Sequence, residues 1–143
     1  MEIRPCTVSD IYESGIAADY FEYAIDGMDT PEVQWLRYEA LAAGGMLYPV
    51  GAFKDDKLIG FVFVLLTTSL HYGVPIASTE SFFVLKEHRS TGAGLQLLVA
   101  VERLAKEQGA SGVMVMAPEG KELVQILPQL GYKDTHRLFL KLI

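Results

Sequence analysis

The chain has a single cysteine and a single tryptophan among its 143 residues. A lone Cys6 excludes an internal disulfide, and with neither a CxxC pair nor clustered histidines there are no candidates for a metal site. Cys6 reads as a small apolar residue near a strand end rather than a nucleophile. Long apolar runs are also missing. The longest, 58–66 and 82–85, are too short to span a bilayer, and the amino terminus lacks a basic segment followed by an apolar signal core. No membrane contact and a cytoplasmic location are therefore expected. Basic charge is scarce, with 12 Lys and Arg against 18 Asp and Glu, a net charge of -6. That balance disfavours nonspecific nucleic-acid binding and favours cationic substrates at long range. Repeats, low-complexity tracts and linkers are absent, and half of the chain is apolar, so residues 1–143 are expected to form one domain with a proper core.

The stretch that is present and unusual is 88–98, HRSTGAGLQLL. It follows the apolar run 82–85 and precedes an amphipathic run, so it reads as a strand-to-helix turn whose helix begins among glycines. Such a turn is an anion site: small residues let a ligand approach the backbone, and the unpartnered first-turn amides point outward at the positive helix end. A P-loop would need Lys then Ser or Thr after its last glycine, yet Leu95 and Gln96 follow Gly94. A dinucleotide fingerprint would need a small residue where Leu97 stands. What remains is an R-x-x-G-x-G sequence made by Arg89, Ser90, Thr91, Gly92, Ala93 and Gly94.

Around it the elements follow in order. Residues 2–8 alternate as a first strand, placed at an edge by Pro5, and Ser9 or Asp10 opens a helix. That helix carries Ile11, Ile16, Tyr20 and Tyr23 on one face, is weakened at Gly15, and ends at an Asp26-Gly27 turn. Thr30 as cap and Pro31 in the first position open a second helix through Val33, Leu36, Tyr38 and Leu41, stopped by Gly44-Gly45. Residues 46–53 and 58–68 form a hairpin across the polar turn 54–57, and the near-continuous apolarity of the second arm makes it central. A loop, 69–75, holds His71 and Tyr72, which either contact a substrate or simply face solvent. The strand 76–85 leads into the glycine loop. Within it Glu80 shares the face of Phe82 and Val84 if no bulge intervenes. A carboxylate on an apolar strand is costly to bury unless paired, hydrated or functional. Glu80 is thus either a general base or a glutamate at an exposed strand beginning. Leu95, Leu97, Leu98, Val101, Leu104 and Ala105 supply the buried face of a helix over 95–108, closed by Gly109. A short buried strand at 113–116, a helix at 121–130 tightened late by Pro128, and an apolar final strand at 138–143 complete the chain.

The loop, the Val84 to Arg89 spacing, the helix-strand-helix order after it and the Leu130-Gly131-Tyr132 ending resemble the GCN5-related N-acetyltransferase (GNAT) family. The resemblance implies an α/β fold with a mixed, mostly antiparallel central sheet flanked by helices on both faces. It implies acetyl-CoA as acyl donor, with the pyrophosphate on the amides of Ser90, Thr91, Gly92, Ala93, Gly94 and Leu95 and added charge from Arg89. By the same resemblance the backbone of Phe82, Phe83 and Val84 pairs with the pantetheine arm, and an amide near Phe83 or Val84 polarises the thioester carbonyl. The acceptor would be a primary amine on a small molecule or a protein. Glu80 is the candidate catalytic base, and the helix pair bearing Tyr20, Tyr23, Trp35 and Tyr38 would border the acceptor, although these aromatics also read as ordinary packing. The sequence departs from the family at two places. Many relatives carry a proton-donating tyrosine where Leu127 stands, and the Asn that often opens that helix is Gly120. Tyr132 reads as packing rather than acid. A noncatalytic acyl-CoA-binding or regulatory domain is therefore the alternative, and the oligomeric state stays open between monomer and homodimer.

Overall fold

Five strands join in one sheet in the order β1 (Glu2–Pro5), β2 (Leu47–Lys54), β3 (Lys57–Thr68), β4 (Pro75–Val84) and β5 (Val113–Met114). The coordinates are a computed structural model that describes residues 1–23 and 32–143, so the expected Asp26-Gly27 turn and Thr30-Pro31 helix opening lie outside the described residues. Strands β1 to β4 are antiparallel, and β4 and β5 are parallel. Strand β3 is central, with Val62 and Val64 buried on one face and Phe61 and Phe63 on the other, as its unbroken apolar run requires. Its hairpin to β2 closes on two residues rather than four. Asp55 and Asp56 both take left-handed conformations, φ 50° and 59°, the geometry that matches strand twist in a two-residue turn.

Helices cover both faces. α4 (Ala93–Glu107) packs Ala93, Leu97, Val101 and Ala105 against Val50, Val62, Val64 and Val84. Leu95, expected on that face, is 49% exposed, because the helix starts at Ala93 and its buried stripe runs through Leu97 and Leu98. On the other face α1 (Val8–Ser14), α2 (Ile16–Tyr23) and α3 (Trp35–Ala43) pack around Leu47, Phe61, Phe63 and Phe83. The opening of α1 differs from expectation. Thr7 is the cap: its hydroxyl accepts from the Asp10 amide at 3.0 Å while the Asp10 carboxylate accepts from the Thr7 amide at 2.7 Å. This capping box ends β1 at Pro5 and starts the helix before Ser9. Gly15, at φ 75°, closes α1, so the single expected helix is two. α3 begins only at Trp35, leaving Val33 outside it.

The carboxyl-terminal third departs most. β5 has two residues, not four, and Met114 and Met116 are more than half exposed. α5 (Glu122–Ile126) passes into a 3₁₀ turn at Leu127–Leu130, the tightening expected from Pro128. The final strand is not formed. Residues 138–143 have no ladder, and Leu138 and Phe139 are 90% and 88% exposed. A strand needs a paired edge to satisfy its backbone, and the short β5 offers too little of one.

The hydrogen bond from the Thr7 amide holds the Asp10 carboxyl below its ordinary value. A lowered folded value means that the contribution is present above the unfolded carboxylate range and is lost as pH falls through the folded one. Thr7→Ala is expected to lower unfolding free energy by about 1 kcal/mol, read as a reduced urea midpoint with an unchanged slope.

Candidate active site

The loop after β4 descends through 3₁₀ turns, Lys86–Thr91, to Gly92 and then into α4. The first bond within α4 runs from the Gln96 amide to the Gly92 carbonyl at 3.0 Å, leaving the amides of Ala93, Gly94 and Leu95 without an acceptor inside the helix. Its first turn carries no acidic residue, so no carboxylate of that turn offsets the positive end of the macrodipole. Gly92 sits at φ 82° with open space around a would-be Cβ, so the backbone conformation, not crowding, requires glycine. Gly94 differs: a Cβ there would lie 3.9 Å from the Phe82 ring and the Val84 side chain. It seats the first turn of α4 directly on β4. Ser90 and Thr91, also expected among the cradling amides, lie in the 3₁₀ turns just ahead of Gly92, and the Thr91 hydroxyl donates to the His88 carbonyl at 2.6 Å.

Arg89 turns back toward the sheet. Its Nε donates to the Val84 carbonyl at 3.0 Å, and its guanidinium lies 4.6 Å from the centre of the Tyr23 ring and 5.7 Å from that of Phe83. Lys121 approaches the same Tyr23 ring at 4.6 Å. Two cations thus clamp the end of α2 against the loop and the start of α5.

Strands β4 and β5 pair only at Ala77 with Val113 and Ser78 with Met114. The next link is made by a side chain, the Met116 amide donating to the Thr79 hydroxyl at 3.1 Å. Beyond that point β4 has no β5 ladder, so among the described residues the edge of Phe82, Phe83 and Val84 away from β3 has no strand beside it, and the Val84 carbonyl is held by Arg89.

At the parting point β4 is bulged. Phe63 pairs with Ser81 and Val64 with Thr79, leaving Glu80 as the extra residue. Because side chains alternate with period two, one inserted residue reverses the faces beyond it. Glu80 therefore does not share the face of Phe82 and Val84, which pack on the α4 side. It reaches the opposite layer, where its carboxylate accepts from the Tyr38 hydroxyl of α3 at 2.8 Å and from the Ser81 hydroxyl at 2.5 Å. Burial, and then the Glu80 charge, push the Tyr38 phenol well above its ordinary value, so it stays a donor. The other candidate wall aromatics do pack: Tyr20 meets Phe61 and Phe83, Tyr23 meets Phe83, and Trp35 meets Tyr12 and Tyr38. The Tyr38–Glu80 contact was not foreseen. The signal for it was the polar run Ser78, Thr79, Glu80, Ser81 in mid-strand, which breaks two-residue alternation where a bulge would.

Three other residues take structural places. Leu127 is 8% exposed. The Tyr132 hydroxyl donates to Glu102 of α4 at 2.9 Å, and burial raises its value further from any physiological proton exchange. Burial pushes the Cys6 thiol up to about 12, keeping it neutral. Tyr72 is 82% exposed, in a loop at the end of β4 away from Gly92.

The fold that carries this arrangement is similar to those of solved proteins that include N-acetyltransferases. A ribosomal-protein-alanine N-acetyltransferase from Brucella melitensis biovar Abortus 2308 is 20% identical with a TM-score of 0.76, covering 99% of this chain and 100% of its own. A glucosamine-6-phosphate N-acetyltransferase from Arabidopsis thaliana is 16% identical with a TM-score of 0.77, covering 99% and 97%. A transcriptional regulator from Bacillus halodurans C-125 is 20% identical with a TM-score of 0.80, covering 99% of both chains. At such identities these likenesses establish the fold. No curated protein matches the chain. The model of the acetyltransferase (GNAT) family matches residues 10–131, and the chain belongs to that family.

Because Leu127 is a packed apolar side chain, Leu127→Ala should cost about 2–5 kcal/mol of stability. Thermal unfolding should register this loss, while the rate per folded molecule, measured at a temperature where the variant is folded, should change little.

Proposed function

We propose that this protein transfers the acetyl group of acetyl-CoA to the primary amine of a small molecule or protein, with the donor against the open edge of β4 and Glu80 as the base. The observation that carries the reading is the placement on one strand of a carboxylate at the bulge and, beyond it, an open edge leading to the unbonded amides of α4. Amides of Ala93, Gly94 and Leu95 fit the pyrophosphate, and the open backbone of Phe82 and Phe83 fits an extended arm as a strand edge does. With the donor bound, acetyl-CoA supplies the thioester. Glu80 takes a proton from the acceptor ammonium, directly or through one water, and the freed amine forms the C–N bond at the carbonyl as the C–S bond breaks. A backbone amide at Phe83 or Val84 supports the oxyanion in this reading. Leu127 gives no proton, so water carries the second proton of the attacking nitrogen to the departing thiolate. The net negative charge and the absence of a membrane-spanning helix among the described residues are consistent with action in the cytoplasm on a cationic substrate. Leu127 favours a second reading, a noncatalytic acyl-CoA-binding domain. Stabilisation by coenzyme A without turnover across a panel of amines would establish that one instead.

Two variants test the assignment. Gly92→Val forces a β-branched residue into a left-handed conformation at a cost of about 1–3 kcal/mol; if the loop holds the donor, calorimetry should show coenzyme A affinity reduced by about 10-fold or more in folded protein. Unchanged affinity would remove the loop from the site. Glu80→Gln keeps shape but removes basicity, so turnover at neutral pH should fall on the order of 100-fold with coenzyme A affinity nearly unchanged. The deficit should shrink at high pH, where the amine is already neutral. An equal loss at every pH would mean positioning rather than proton transfer.

A further inference from the structure

We propose that Tyr38 is a positioning residue for the transfer, its hydroxyl fixing the Glu80 carboxylate at the β4 bulge from the opposite layer of the fold. The proposal rests on the acyl-transfer reading above. A carboxylate has about four lone-pair sites. Tyr38 binds one oxygen of Glu80 and Ser81 the other, which leaves each oxygen able to accept one more bond, from an ammonium or its bridging water. Ser81 is the neighbour of Glu80 on the same bulge and moves with it, so it cannot fix the carboxylate against the rest of the protein. Tyr38 can, because its ring is itself held. It stacks on Phe63 with centroids 4.6 Å apart and 21° between planes, and Trp35 leans on it at 5.9 Å. Trp35 in turn meets Tyr12 edge-on at 5.2 Å. The hydroxyl therefore stands at the end of a packed aromatic chain reaching from α1 through α3 to the centre of the sheet. Packing alone asks for the ring and not for the hydroxyl. Tyr38 keeps its own proton throughout and gives a fixed hydrogen bond, while Glu80 does the proton transfer.

Tyr38→Phe keeps the stack and removes only the donor. With an accepted amine, kcat/KM for that amine should fall about 10-fold while the Kd of coenzyme A is unchanged. Ser81→Ala, which leaves the Tyr38 bond in place, should cost clearly less than Tyr38→Phe, and an equal or larger loss would mean that Tyr38 is not the anchor. In a Glu80→Gln background the Tyr38→Phe loss should disappear, since the carboxylate it positions is gone. Equal losses in both backgrounds, or wild-type kcat/KM in Tyr38→Phe, would overturn the proposal and return Tyr38 to packing. A second readout needs no turnover. The groups acting on the Tyr38 phenol are Glu80, Ser81 and Tyr20. In protein labelled at tyrosine ¹³Cζ, Glu80→Gln should shift the Tyr38 resonance at neutral pH, because the charged acceptor of its hydroxyl is replaced by a neutral one. An unmoved resonance would dissolve the contact itself. A resonance that moves in a protein that acetylates no amine would keep the contact but defeat both the acyl-transfer reading and the positioning role.

Discussion

One extra residue in β4 governs the architecture. A strand can serve two layers only by alternation, and alternation alone would send Ala77 and Val84, seven positions apart, to opposite faces. Both pack in the α4 layer, and the bulge at Glu80 is what reconciles them. The same insertion directs the carboxylate into the α1–α3 layer, and it coincides with the place where β4 leaves β5. Twist, parting and carboxylate placement are one local event.

The electrostatics of the loop follow from the same economy of local devices. A protein with net charge -6 offers no global attraction for a polyphosphate. The positive field at α4 is built from peptide dipoles, with Arg89 and Lys121 nearby but engaged on the Tyr23 ring. Arg89 also binds the Val84 carbonyl, so the residue that the motif assigns to charge neutralisation is, in this conformation, a brace between loop, strand and α2.

Much of this was legible in the sequence, and the divisions are physical. The central strand, the glycine loop and the helix after it rest on local signals: apolar continuity, a φ that only glycine tolerates well, and helical periodicity. The start of α1 was missed by two to three residues because Thr7 and Asp10 close a capping box whose value lies in their pairing, whereas Ser9 and Asp10 looked equally able to cap. The final strand failed for the opposite reason. Its pattern was strand-like, but pairing is not a local property, and β5 stops after two residues. Glu80 was singled out as a candidate and misplaced as a direction. Its partner lies 42 positions away, and a one-residue bulge leaves only a faint trace in composition, here four consecutive polar residues within a buried strand.

The two packed layers touch the sheet from opposite sides and share almost no side chains, α4 gathering aliphatic residues and α1 to α3 gathering aromatic ones. The fold is therefore modular across its thickness. Substitutions in the aromatic layer can reshape the surroundings of Glu80 while the helix that presents the loop amides keeps its seat on Phe82 and Val84. A lineage built on this plan can exchange one partner of its reaction without re-solving how to hold the other.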